Sequence, residues 1–292
     1  MPEPPGHSGA HQHGDTADRD TLDPLLDLDA EVLREYWSAA LAWVRQAADR
    51  DDRHRLLDLG AGTGTGSIGL AERFAGAEVI AIDVSPASLH RLREKALDLG
   101  LAARVRTVEA DLDAGWPDVG SFDLTWASMS LHHFADPTRV LRDVLAATRP
   151  GGLIAVAELA EPLRFLPDDL DFGPAGFEAR AVATLGAAHA ETMPTLGSTW
   201  APRLTDAGWT VVDERDFVID LDPPRHPDAA RYARAWFARL ADGFADRLEP
   251  DDRATLAALL DEHDQRGPLE RTKLHIRGVR TVTLARRLPE LD

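Results

Sequence analysis

Leu56-Leu57-Asp58-Leu59-Gly60-Ala61-Gly62-Thr63-Gly64 decides how the rest of the chain is read. A short apolar run carries one acid near its end, breaks into glycine at every second position, and continues as Ser67-Ile68-Gly69-Leu70-Ala71-Glu72-Arg73-Phe74. That order predicts a buried strand, a tight turn and the opening of a helix. Alternating glycines let the backbone turn sharply and leave no Cβ where a ligand would approach. Loops of this build bind nucleotides, and the neighbouring residues say which kind.

A pyrophosphate-binding turn needs Gly-x-Gly-x-x-Gly directly after its strand. Here the first glycines run Gly60-x-Gly62-x-Gly64, and a Gly-x-Gly-x-x-Gly begins only at Gly64, four residues too late. Asp58 points the same way. A carboxylate at the strand's carboxyl end repels a pyrophosphate but suits a ligand with an ammonium and no phosphate. S-adenosylmethionine, built of adenosine, a sulfonium and an amino acid, is such a ligand. A Walker A loop is excluded because no Gly-Lys-Ser/Thr follows.

Further signposts follow in order. Ala77 to Ile82 reads as a second strand ending at Asp83, 19 residues after Gly64. An acid there accepts both hydroxyls of a ribose in one bidentate contact. Val105 to Val108 reads as a third strand leading to Glu109-Ala110-Asp111-Leu112, and Phe122 to Ser128 as a fourth, with Leu131-His132-His133-Phe134-Ala135-Asp136-Pro137 behind it. Val140 to Arg149 is then helical, Pro150-Gly151-Gly152 turns, and Leu153 to Glu158 is a fifth strand.

Over roughly residues 55–160 this series resembles the class I S-adenosylmethionine-dependent methyltransferases, in their small-molecule branch. Asp-x-Gly-x-Gly-x-Gly is similar to their motif I, and Leu-His-His and Arg-Pro-Gly-Gly are elements of that branch. The resemblance implies an α/β fold: a doubly wound, seven-stranded, mostly parallel sheet whose last strand is antiparallel. It implies S-adenosylmethionine as cofactor, with Asp58, Gly60, Ala61, Gly62 and Gly64 at its amino-acid end and Asp83 and Val84 at the ribose. The Asp111 acid would take the adenine amino group and the Leu112 amide a ring nitrogen, with Ala127 and Ser128 closing the site.

Composition agrees. The chain has 292 residues, 44% of them hydrophobic and 28% charged, in the range of a soluble globular protein. Fifty acids against 32 bases give a formal charge of −18, a poor basis for gripping phosphates, so no nucleic-acid partner is expected. A neutral or cationic small substrate fits better. There is no cysteine, hence no disulfide framework. No apolar run reaches the roughly 20 residues that span a bilayer, and Met1-Pro2-Glu3-Pro4-Pro5-Gly6 lacks the apolar core of a signal peptide. No membrane partner is expected, and the cytoplasm is the expected compartment.

Residues 1–20 read as a disordered tail, His7, His11 and His13 included. In 21–50, Leu25, Leu28, Val32, Leu33, Tyr36, Trp37, Ala40, Leu41 and Val44 recur at helical spacing. The resemblance makes this a helical lid over the cofactor cleft; packing against the sheet explains the same stripe. The cofactor-binding core is expected at 51–160, and substrate-side helices with the completion of the sheet at 161–292. There, Trp200 to Gly208 reads as a helix with a glycine stop, Trp209 to Leu221 as a sixth strand, 228–246 and 250–264 as helices, and Arg280 to Leu288 as a seventh strand. Simple relatives join the last two strands by a near-direct hairpin, whereas here 223–268 intervenes.

Methyl transfer places little chemistry on the protein, because the cofactor's methyl carbon is already activated. A base is required only when the acceptor holds its proton tightly. His132 and His133 are the candidates, since open α/β sheets bind ligands at the carboxyl edge and an imidazole titrates near neutrality; a structural role at the cofactor pocket is the alternative. Tyr36, Trp37, Phe172, Phe177, Arg180 and His189 are candidates for an acceptor pocket, with core packing as the alternative for the aromatics. No His/Asp/Glu spacing suggests a metal. The function expected is methyl transfer to an oxygen, nitrogen or carbon of a small molecule by a monomer or homodimer. A catalytically silent S-adenosylmethionine-binding regulator and an NAD(P)-dependent oxidoreductase of the same fold are the alternatives.

Overall fold

The computed structural model describes residues 23–48, 54–222, 224–261, 269 and 273–289. The expected tail with its three histidines, Pro223 and the end of the expected helix 250–264 lie outside the described residues.

Each half of the core alternates apolar strands with capped helices. β1 (Arg55–Leu59) is buried along its last four residues and turns through the glycines into α3 (Thr65–Arg73). Two helices precede it, α1 (Asp23–Val32) and α2 (Arg34–Ala47). β2 (Glu78–Asp83) leads to α4 (Pro86–Asp98), whose start is fixed by Ser85 accepting the Ser88 N–H and by proline in the first turn. β3 (Val105–Glu109) and β4 (Phe122–Ser128) follow. α5 (Pro137–Ala147) begins three residues before the apolar stripe predicts, because Asp136 caps it and Pro137 suits its first turn.

β2 and β3 pair outward from β1 on one side, and β4 pairs with β1 on the other, all parallel. The sheet order is β3-β2-β1-β4-β5-β7-β6. The winding therefore reverses between β1 and β4, and a crevice opens at the carboxyl ends of that pair. β5 (Thr148–Arg164) is parallel to β4, and β7 (Ile276–Arg286) is antiparallel to both β5 and β6 (Thr210–Leu221). This is the doubly wound, seven-stranded sheet expected, antiparallel last strand included. β5 and β7 both extend beyond the apolar runs that announce them. Charged residues such as Glu161 and Arg164 continue the ladder against Val279 and Arg277 through two register shifts, so backbone pairing outlasts side-chain burial.

The sheet is covered on both faces. Leu56, Val79, Leu124 and Ala155 pack under α1 to α4, whereas Leu57, Ile80 and Ile154 pack under α5 and the short α7 (Ala201–Asp206). The remaining helices, α6 (Phe177–Thr192), α8 (Ala229–Phe244) and α9 (Pro250–Leu260), gather round Phe165 at the end of β5. Phe165 lies 5.3 Å from Tyr232, 5.5 Å from Trp236 and 6.0 Å from Phe237, ring centre to ring centre. The buried Glu178 carboxylate accepts the Phe165 and Leu166 N–H groups at 2.6 and 3.1 Å and so fixes α6 to the strand. Phe165 joins the helices on the substrate side to the sheet. Phe165→Ala is expected to cost about 3–5 kcal/mol, measured by chemical denaturation. A loss below about 1 kcal/mol would show that this cluster is loosely packed.

Candidate active site

The turn after β1 requires its glycines. Gly60, Gly62 and Gly64 all have positive φ, at 68°, 50° and 92°. A Cβ on Gly60 would stand 2.3 Å from that of Ser130, and one on Gly64 would stand 2.0 Å from Leu92 Cδ1. The Gly60 and Ala61 N–H groups both donate to the Ile82 carbonyl, at 2.9 and 3.0 Å, tying the turn to β2. Asp83 completes the tie: one oxygen accepts the Gly62 N–H at 2.8 Å and the other the Ser85 N–H at 2.9 Å.

Asp58 is buried at the carboxyl end of β1, where it accepts the Ser67 hydroxyl proton at 2.6 Å. Burial pushes its carboxyl up to about 7, helped by the charge of Asp83 and opposed by the hydrogen bonds from Ser67. Across the crevice, the Trp126 Nε1 and Ser128 hydroxyl of β4 are buried without a hydrogen-bond partner. A Cβ on Gly66 would stand 2.8 Å from both Asp58 Oδ2 and Trp126 Nε1, so this corner closes only round glycine. Ala127 and Leu112 are buried, and Val84 follows Asp83 into the cap of α4. Asp111 lies past β3 and accepts the Asp113 N–H at 2.9 Å. The structure thus brings Asp58, the glycines, Asp83 and the end of β4 to one edge, with Asp111 at the next strand end.

Behind β4, Met129 has φ 52°, the one positive value outside glycine among the described residues. Such backbone is strained and is held by its surroundings. Those surroundings are the Met129 N–H on the Ala157 carbonyl, at 2.9 Å, and the Ser130 hydroxyl on the Leu59 carbonyl, at 2.8 Å. The bend aims the Ser130 and Leu131 N–H groups at Glu158 Oε1, at 3.1 and 3.0 Å. Glu158 Oε2 meets His132 Nδ1 at 2.6 Å, with both side chains buried. A carboxylate only accepts, so the neutral imidazole carries its proton on Nδ1 and its lone pair on Nε2. The His133 ring centre lies 4.2 Å from that of His132, the two rings tilted by 43°. Sequence reasoning singled out the histidines and missed Glu158. Its signal was the one that flagged Asp58, an acid ending an apolar strand.

Tyr36 and Trp37 reach the crevice. Trp37 lies 6.2 Å from Trp126, 5.7 Å from Tyr36, and donates from Nε1 to Asp29 at 3.1 Å. Asp29 also accepts the Tyr232 hydroxyl at 2.6 Å and both terminal nitrogens of Arg280, a buried hub that sequence spacing did not reveal. Three of the other pocket candidates, Phe172, Phe177 and Arg180, lie elsewhere. Phe177 is fully buried against Phe237, Phe172 is half-buried in the same core, and Arg180 binds Asp252 between α6 and α9. His189 packs on Phe244, its pKa lowered by burial and further by the charge on His132. Folding also gathers Glu31, His226 and Asp228, whose potential ligand atoms lie within 4.8 Å of one another, a trio with no signature in the spacing. Among the described residues no helix is long and apolar enough to cross a membrane.

Residues 57–154, from β1 into β5, match the family model of a methyltransferase domain. Over those residues the chain is similar to a methyltransferase domain. A demethylmenaquinone methyltransferase of Thermus thermophilus is 38% identical over 143 residues, 48% of this chain and 63% of its own length. The chain thus spans just under two thirds of that relative. The 27-O-demethylrifamycin SV methyltransferase of Amycolatopsis mediterranei is 28% identical over 221 residues, 72% of this chain and 73% of its own. Among solved structures, the YcgJ protein of Bacillus subtilis shares the fold with a TM-score of 0.56 at 16% identity, covering 86% of this chain and 99% of that one.

The glycine turn offers a clean test of its own packing. Gly64→Ala combines left-handed backbone with a collision against Leu92, whereas Gly76→Ala has similar backbone, φ 81°, and nothing within 4 Å. The second change is expected to cost about 1–2 kcal/mol and the first about 1–3 kcal/mol more, compared by urea midpoints. Equal losses would mean that the turn does not pack on Leu92 as described.

Proposed function

We propose that the chain transfers a methyl group from S-adenosylmethionine to an oxygen, nitrogen or carbon of a small-molecule acceptor, with His132 taking the acceptor's proton. The observation that carries this reading is Ser130. Its hydroxyl is bound to the end of β1 beside the glycine turn while its N–H holds Glu158, so donor loop and base are built on one contact.

The residues fit the cofactor. Three acids at successive strand ends match an ammonium, a ribose and an adenine amine, while an alternating-glycine turn leaves room for backbone approach. In this reading Asp58 faces the ammonium, and Gly60, Ala61, Gly62 and Gly64 line the amino-acid end. Asp83 and Val84 hold the ribose, Asp111 and Leu112 the adenine, and Ala127 and Ser128 close the side. Bound there, S-adenosylmethionine supplies an electrophilic methyl carbon. The chain aligns the acceptor and keeps water out. His132 Nε2 accepts the proton that the acceptor loses, and Glu158 stabilises the resulting imidazolium as it holds the ring in place. His133, tilted against that ring, supports its orientation. Two relatives are named for organic acceptors, demethylmenaquinone and a rifamycin, which supports an organic acceptor here. Every group invoked belongs to one chain, so a monomer suffices and a homodimer would repeat the site; the cytoplasm remains the proposed compartment.

The test is turnover of labelled S-adenosylmethionine on a panel of phenols, amines and thiols. His132→Ala is expected to lower turnover on the best acceptor by about a hundredfold or more while S-adenosylhomocysteine binds as before. Unchanged turnover would remove His132 as base. Cofactor binding with no turnover on any acceptor would favour a silent regulator.

A further inference from the structure

Two buried donors beside the crevice lack an acceptor. Arg280, on β7, gives both terminal nitrogens to Asp29, yet its Nε–H has no hydrogen-bond partner. The Tyr36 hydroxyl, on α2, has none either. The two residues are 3% and 6% exposed, the guanidinium carbon lies 4.8 Å from the Tyr36 ring centre, and the phenol oxygen faces the guanidinium while its own proton finds no acceptor. An unmade hydrogen bond in the interior is costly, and two on touching side chains call for a reason.

The nearby oxygens are already engaged. Asp29 accepts from Trp37, Tyr232 and Arg280, and Glu158 accepts from Ser130, Leu131 and His132. Tyr36 lies within the electrostatic reach of Glu158, the carboxylate that holds His132. Burial, opposed by Arg280 and helped by the charges of Asp29 and Glu158, pushes the Tyr36 phenol up to about 12, which keeps it a donor. A groove of about 460 Å³ between α2 and the edge strand β6, lined by Glu35 and Ala39 on one side and Arg215, Asp216, Phe217 and Val218 on the other, borders Tyr36, whose hydroxyl is itself shielded from solvent. That volume suits a small ligand.

The charges select the ligand. Asp29 cancels Arg280, and Glu158 adds a second carboxylate, so a buried anion would find no free cation and two like charges. A neutral carbonyl oxygen needs none and offers one lone pair to each donor. We propose that Arg280 Nε and Tyr36 Oη form a subsite for a neutral carbonyl oxygen, making the methyl acceptor a hydroxy- or amino-substituted carbonyl compound. The word acceptor rests on the proposed methyl transfer; the subsite itself does not.

Calorimetric titration with three probes decides it: para-hydroxyacetophenone, para-ethylphenol and para-hydroxybenzoate. The ketone is expected to bind about tenfold more tightly than the ethylphenol, the worth of one good buried hydrogen bond, and more tightly than the carboxylate. Tyr36→Phe keeps the ring over Arg280, and Arg280→Lys keeps a cation opposite Asp29; each should erase most of the ketone's advantage. Should Arg280→Lys fail to fold, Tyr36→Phe alone decides. Equal binding of ketone and ethylphenol by the parent, an undiminished advantage in Tyr36→Phe, or preference for the carboxylate overturns the proposal. A parallel titration with S-adenosylhomocysteine separates the two readings. A chain that binds it yet treats the probes alike contradicts the subsite alone. A chain that does not bind it contradicts the donor site, while the probe titrations, which need no donor, still decide the subsite.

Discussion

A carboxylate held in an apolar strand end is the constraint on which the rest of this structure depends. Asp58 is carried to the edge of the sheet by Leu56, Leu57 and Leu59, and it is dehydrated there with one side-chain partner, Ser67. An isolated buried charge is unfavourable, and its raised pKa records that. The sequence around it follows from this position. The backbone must turn away at once, through residues that tolerate positive φ, and Gly66 must leave room for the carboxylate and for Trp126. An ammonium placed against Asp58 supplies the charge that the interior withholds, which is why an amino-acid-bearing cofactor suits this loop and a pyrophosphate does not.

The same logic extends across the sheet in two further buried clusters. Glu158 closes the apolar run of β5 as Asp58 stands near the end of β1, and it is satisfied by two backbone N–H groups and His132. Asp29 reaches in from α1 to meet Arg280, Tyr232 and Trp37. Burial alone would raise the Asp29 carboxyl, but the charge and hydrogen bonds of Arg280 outweigh it and hold it low. That pair joins the first helix to the last strand, so the N-terminal helices and the antiparallel end of the sheet enclose one crevice. Asp27 adds a second tie, accepting from the Thr63 hydroxyl and Lys95 at the glycine turn.

The core was legible because its signals are local. Alternating glycines and an acid at a strand end fix backbone within a few residues, and β1 to β5 and α3 follow from them, whereas the caps Ser85-Pro86 and Asp136-Pro137, equally local, show themselves only in the structure. Contacts between distant segments left no such trace. Arg280 and Asp29 are separated by nearly the whole chain, and nothing in either neighbourhood names the other. Glu158 reads as the end of a strand until the Met129 bend shows that His132 turns back onto it. Phe177 and Arg180 read as pocket candidates because they lie beyond the shared core, where the resembling family builds its substrate site. The structure gives one to Phe237 and the other to Asp252, partners supplied by helices in the segment 223–268.

The central claim is that the buried Asp58 carboxylate receives the cofactor's ammonium, and its protonation tests this most directly. Free Asp58 binds a proton below about pH 7 and must release it before an ammonium can pair with the carboxylate. Affinity is therefore full above that pH and falls below it. In calorimetric titration, S-adenosylhomocysteine is expected to occupy one site per chain and to bind about tenfold more weakly at about pH 6 than at about pH 8, with proton release at the lower pH. No binding, or one affinity at both pH values, would contradict the account.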